Sequence, residues 1–189
     1  PEIALFWKGL PDNLSKLENV LWAENPANLD DYAWCRGSDG ISRVWHPGFH
    51  GDKNFGWAGA PDIVAEYKGK IVLGDLKTSN GPYYSQWPGS DTPKNEYGKR
   101  RAGFMKYQKC QLQLAAYALG LEHTIGVVPE LCMTFVATKE ISQVFVIQKG
   151  TIEKYKNKWR ETVKKYYEVI LPEQKEREIE MLGIDGDIM

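Results

Sequence analysis

Apolar residues recur along this chain with two different spacings. In residues 3–22, Leu14, Leu17 and Leu21 follow Pro11 at helical spacing, and proline is tolerated in a first helical turn, so one or two short helices leading into a strand are expected. Residues 25–58 are crowded with Gly, Pro, Asn, Asp and Trp, including "RGSDG" and "WHPGFHGDKNFGWAG", which predicts turns and short irregular strands. "DIVAEYKGKIVLGDLKTS" reads as a β-hairpin, because β-branched and apolar residues flank "YKGK" and Gly69 supplies a tight turn. Residues 80–103 show no sustained period and read as a loop. Residues 104–121 are rich in helix formers, with Cys110, Leu114, Tyr117 and Leu121 along one face. "LCMTFVAT" and "SQVFVIQ" predict two further strands. A last helix is expected to be capped by Thr151, to carry an apolar stripe of Ile152, Tyr155, Trp159, Val163, Tyr166 and Ile170, and to end at Pro172 before an acidic tail over 172–189.

With 189 residues, 42% of them hydrophobic, the chain has enough apolar surface for one domain with a sizeable core, set at about 15–171. The net charge of −1 excludes a strongly basic nucleic-acid-binding protein, leaving only local patches for that role. Cys35, Cys110 and Cys132 are odd in number and lack paired spacing, so neither a disulfide framework nor a zinc site is expected, and a reducing, intracellular and cytoplasmic setting is. An organellar or phage-encoded origin is compatible with the same features. Neither a transmembrane run nor a secretory signal is visible, so no membrane partner is expected. The first residue is Pro1 rather than Met, which suggests processing or a piece of a longer chain.

The charges inside the hairpin call for an explanation. Asp75 and Lys77 share one strand face, and with a two-residue turn Asp62 falls opposite one or the other of them, on the same face. A three-residue turn would separate them. Two close carboxylates repel unless a cation or a shared proton neutralises them, and oxygen ligands without His or thiolate favour Mg²⁺ or Mn²⁺ over zinc. A neighbouring lysine suits phosphodiester hydrolysis, because it can position water and offset developing negative charge. D-x-K is a very common tripeptide pattern, and taken alone it more often marks a salt bridge on a solvated sheet face, with Asp62 as a turn residue.

"GAPD" at 59–62, the hairpin, "GDLKTS" at 74–79, and Gln113 and Tyr117 as Q-x-x-x-Y together resemble the PD-(D/E)xK nuclease superfamily, in its RecB-like exonuclease branch. The similarity is greatest to mitochondrial genome maintenance exonucleases and related phage enzymes. It covers about 60 residues directly. The resemblance implies an α/β fold, a mixed central sheet flanked by helices with a restriction-endonuclease-like core. It also implies that Asp62, Asp75 and the backbone carbonyl of Leu76 are metal ligands, that Lys77 is the catalytic lysine, and that Gln113 and Tyr117 serve the site from one helix face. A tyrosine on such a face is otherwise commonly a core residue. Glu24 in "VLWAEN" is the best match to the glutamate that family members carry upstream. The histidine of the G-T-x-x-H pattern in many relatives has no counterpart, since His46, His50 and His123 are misplaced for it, and the four-cysteine pattern of some relatives is also missing, so the resemblance implies no iron–sulfur cluster.

The segment from 80 to 109 interleaves Lys94, Lys99, Arg100, Arg101, Lys106 and Lys109 with Tyr83, Tyr84, Trp87, Tyr97 and Tyr107. Cations neutralise phosphates and flat rings stack on unpaired bases, so single-strand or end recognition is expected here, with Thr78, Ser79, Lys99, Arg100, Arg101, Lys106 and Tyr107 as contacts. A solvated loop packed by its own aromatics has the same composition. The expected activity is metal-dependent exonucleolytic hydrolysis of single-stranded DNA or DNA ends. The alternatives are a flap endonuclease and a noncatalytic nucleic-acid-binding module of the same fold.

Overall fold

The computed structural model describes residues 9–23, 44–46 and 56–182. A short helix, α1 (Leu10–Leu14), precedes strand β1 (Glu18–Ala23), and two short strands, β2 (Val44–His46) and β3 (Trp57–Gly59), pair as an antiparallel ribbon. The hairpin strands β4 (Ile63–Tyr67) and β5 (Lys70–Thr78) follow, then a long helix α2 (Lys94–Ile125) and strands β6 (Leu131–Ala137) and β7 (Ser142–Gln148). Helix α3 (Lys149–Lys165) passes through a π-helical turn at Tyr166–Ile170 into α4 (Leu171–Leu182). The main sheet has the order β1-β4-β5-β6-β7; β5 and β6 are parallel and every other neighbouring pair is antiparallel. With helices on both sides of this mixed sheet, the fold class is α/β.

The two sheet faces follow from the pleat. Leu73, Cys132, Ile147 and Val64 point to one face and pack against Leu114, Ala118 and Leu121 of α2. Val72, Leu131, Met133, Phe135 and Ala137 point to the other, where Leu10, Leu14 and Leu17 cover them. All seven residues of β6 are buried, since neighbours flank it and both its faces are covered, which explains its unbroken apolar run.

Helix α2 joins two parallel strands and lies between layers. Its sheet side meets the core, while Val44 of the ribbon packs into the same cluster and Trp57 of β3 donates its indole N–H to the Ala116 carbonyl at 3.2 Å. Cys110, Gln111, Leu114, Ala115, Ala116 and Ala118–Leu121 are buried as a result.

Three sequence expectations need correction. The segment 80–103 is not all loop, because α2 already begins at Lys94. Residues 94–102 carry no apolar stripe because they are mostly exposed and meet the preceding loop rather than the sheet, so only helix propensity marks them. Thr151 is not a cap: the β7 ladder continues to Gln148, which pairs with Leu131, and the helix starts at Lys149 directly after it. Pro172 does not end the last helix. The π turn, closed by the Leu171 N–H on the Tyr166 carbonyl, shifts the register and leaves Pro172 in the first turn of α4, where a missing N–H is tolerated.

Candidate active site

The geometry of the site begins at the hairpin turn. Lys68 and Gly69 are its two central residues, with φ of 52° and 71°, the conformation of a two-residue type I′ turn. This fixes Tyr67 opposite Lys70 and Ile63 opposite Gly74, so extending the ladder by one residue sets Asp62 opposite Asp75. Asp62 stands just beyond the last paired residue of β4 and turns its carboxylate onto β5, where Oδ2 accepts the Leu76 N–H at 2.6 Å. Asp75, fully buried, accepts from Lys77 Nζ on Oδ1 at 2.8 Å. Its Oδ2 is buried without a hydrogen-bond partner. The three charged residues therefore converge on one face.

Burial acts on the two partners differently. Desolvation pushes the Asp75 carboxyl up to about 6; the Lys77 hydrogen bond and charge oppose this, and the nearby Asp62 carboxylate reinforces it. Desolvation pulls the Lys77 ammonium down, but the Asp75 hydrogen bond and charge outweigh it and hold the pKa above the ordinary lysine value. Both values are raised, by burial at Asp75 and by pairing at Lys77, in line with side-chain exposures of 0% and 26%. Lys77 is thus a proton donor at neutral pH rather than a base. Asp75 has one oxygen that the protein leaves unsatisfied, a costly state for a buried carboxylate.

Helix α2 passes over this face with residues at i, i+4, i+7 and i+11. Lys106 Nζ donates to Ser79 Oγ at 3.0 Å, just past the end of β5. Cys110 is buried with Tyr83 and Val136 in a small cluster, close enough to Asp75 and Lys77 for their charges to act on it. Burial pushes its thiol up to about 11, so it stays protonated at neutral pH. Gln113 Nε2 donates to the Tyr117 hydroxyl at 2.7 Å. Burial raises the Tyr117 phenol, and the charges of Asp75, Lys77 and Asp62 all reach it. The ring of Tyr117 lies on Gly59, where a Cβ would come within 2.3 Å of Cε1. The glycine of "GAPD" is thus required by the tyrosine of Q-x-x-x-Y.

The structure brings together Asp62, Asp75, Leu76 and Lys77, with Gln113 and Tyr117 bonded to each other beside them. Thr78 and Ser79 close β5 at the same end, and Lys106 joins them. Tyr107, half-buried, packs on Phe145 with ring centroids 5.1 Å apart, so it is a packing residue more than an open stacking surface. Lys99, Arg100 and Arg101 sit near the start of α2, well before Lys106. Glu24 lies outside the described residues. Among the described residues no group of three or more His, Cys, Asp or Glu converges, so the carboxylates at hand are Asp62 and Asp75.

Sequence reasoning missed an apolar cleft of about 360 Å³ beside the Gln113–Tyr117 pair, lined also by Trp57, Lys109 and Trp159. Trp57 and Trp159 meet edge to face at 5.9 Å although a hundred residues separate them in the chain. No local pattern could have signalled that meeting.

No family model matches this chain, and no curated protein does. Solved structures similar to it include one described as "Crystal structure of SSO0001", with 14% identity and a TM-score of 0.34 over 60% of this chain. The match spans 45% of that structure's own length.

Proposed function

We propose that this chain is a Mg²⁺- or Mn²⁺-dependent deoxyribonuclease of the PD-(D/E)xK type, in the RecB-like branch, that degrades single-stranded DNA or DNA ends. One observation carries the reading. Asp75 is fully buried with an orphaned Oδ2, and Asp62 is anchored across from it by the Leu76 N–H. A salt bridge with Lys77 uses only one of the two Asp75 oxygens. A hard divalent cation fits the unsatisfied oxygen, with Asp62, Asp75 and the Leu76 carbonyl as its ligands. When bound, such a cation supplies Lewis acidity: it makes water nucleophilic near neutral pH and offsets charge on the phosphate.

The chain's own residues supply the rest. Lys77, kept cationic and held by Asp75, donates to the attacking water or to a phosphate oxygen and stabilises negative charge as it develops. The Tyr117 hydroxyl accepts from Gln113, which leaves its own proton available to donate towards the strand. Lys106, placed by Ser79, contacts the phosphate adjoining the scissile one.

The test uses end-labelled linear and circular single-stranded DNA with Mg²⁺, Mn²⁺ or EDTA, for the parent chain and Lys77→Ala. Metal-dependent loss of the linear strand alone, abolished in the variant, is expected. Cutting of the circle would replace the exonuclease with an endonuclease. No hydrolysis in either metal would remove the catalytic reading and leave a binding module.

A further inference from the structure

The chain between β5 and α2 folds into a second concavity, about 510 Å³ in volume, lined among others by Tyr84, Trp87, Pro88, Pro93 and Arg100. Two guanidinium groups lie over its aromatic rings: Arg100 stands 5.5 Å from the Tyr84 centroid and Arg101 stands 5.7 Å from that of Trp87. Arg100 is also bonded to Glu96, at 3.1 Å. Arg101 has no ion-pair partner among the described residues and is exposed. Trp87 leaves 48% of its surface in water, although Phe104 fixes its ring edge to face at 5.4 Å. A large ring that is both held in place and open to solvent is a ready contact surface.

The platform is built onto α2. A Cβ at Gly103 would come within 2.5 Å of the Pro82 carbonyl and 2.7 Å of Tyr84 Cδ2, so the loop sits directly on the helix at that point. Further along the same helix Lys106 reaches Ser79, and then Cys110 lies beside Lys77. Arg100 is ten residues before Cys110, about 15 Å along the helix axis. The same helix thus carries Arg100 and Arg101 at the platform and Lys106 at the end of β5.

We propose that the concavity holds an unpaired nucleotide of a single strand whose backbone runs along α2 to the catalytic face. The base stacks on Trp87 and the adjoining phosphate pairs with Arg101. Paired bases are stacked inside a duplex and cannot offer a face to Trp87, so the platform selects single strands. An acidic peptide would satisfy the arginines but leave the open indole without a flat partner. The proposal rests on the nuclease reading for the path of the strand, but not for its test.

Fluorescence anisotropy of labelled oligothymidylate, oligouridylate and a blunt DNA hairpin is measured in EDTA, with Lys77→Ala as the parent so that nothing is hydrolysed. Adding Trp87→Ala is expected to weaken oligothymidylate binding about tenfold and hairpin binding little, with Trp87→Phe in between. Adding Arg101→Ala is expected to weaken binding and to lower the slope of log affinity against log salt by about one. The same Trp87 dependence with tighter binding of oligouridylate supports the pocket and names RNA as the source of the strand. Unchanged affinity in the Trp87→Ala and Arg101→Ala chains, or equal losses on single strand and hairpin, overturns it, as does failure of the parent to bind any single strand. Unfolding midpoints of all chains identify any loss that is only misfolding. Metal-dependent hydrolysis of bis(p-nitrophenyl) phosphate by the wild-type chain and not by Lys77→Ala reports on the catalytic reading separately, so either idea can fail without the other.

Discussion

Asp75 sets the behaviour of the site at the scale of single residues. Its folded-state pKa is raised from 3.8 to about 6, so between those values the folded chain holds a proton that the unfolded chain has released. The associated stability is fully present below the unfolded value and is lost as pH rises through about 6. In EDTA the unfolding midpoint is therefore expected to fall by several degrees between about pH 5 and about pH 7. Asp75→Asn should flatten that step, because no charge then forms at the buried position. A pH step of the same size in Asp75→Asn would assign it to another group. Lys77→Ala removes the lysine hydrogen bond to Asp75 Oδ1, together with the cation that the nuclease proposal places beside the phosphate. We expect kcat to fall by roughly a hundredfold or more with KM little changed. A change confined to KM would make Lys77 a binding residue.

At the scale of elements, the site depends on β3, the β4–β5 hairpin and α2 meeting at Gly59 and Tyr117. Gly59→Ala places a methyl group within 2.3 Å of the tyrosine ring and should cost about 1–3 kcal/mol in a denaturant melt, with loss of activity. Combining it with Tyr117→Leu should recover part of the stability and none of the activity. Additive losses in the pair would mean that the two residues do not meet. The hairpin was legible in the sequence because turn chemistry and a period of two point to the same register, and that register fixes Asp62 across from Asp75. The reach of α2 back to Lys94 was not. A helix whose first turns are mostly exposed and do not reach the sheet has no apolar period to read, and "GKRRAG" contains two glycines that speak against a helix. The Trp57–Trp159 contact was equally hidden, since only the tertiary fold brings β3 to α3.

At the scale of the whole molecule, the sheet and α2 form one packed unit to which α4 adds little. The described α4 side chains beyond Leu171 are exposed, whereas Ile152 and Val163 of α3 are buried. Ending the chain after Leu171 should leave unfolding cooperative, with the midpoint moved by only a few degrees. A large loss would assign α4 a packing role. With a net charge of −1 the molecule has no global attraction for nucleic acid, so the proposed binding rests on local cations such as those of α2. The claim on which all this depends is that Asp62 and Asp75 face each other to hold a divalent ion. The most direct measurement is a titration with Mn²⁺, followed by the loss of the free-ion electron paramagnetic resonance signal, for the wild-type chain and for Asp75→Asn. We predict saturable binding by the wild-type chain and none, or far weaker binding, by the variant. Equal uptake by both chains, or none by the wild type, would contradict it.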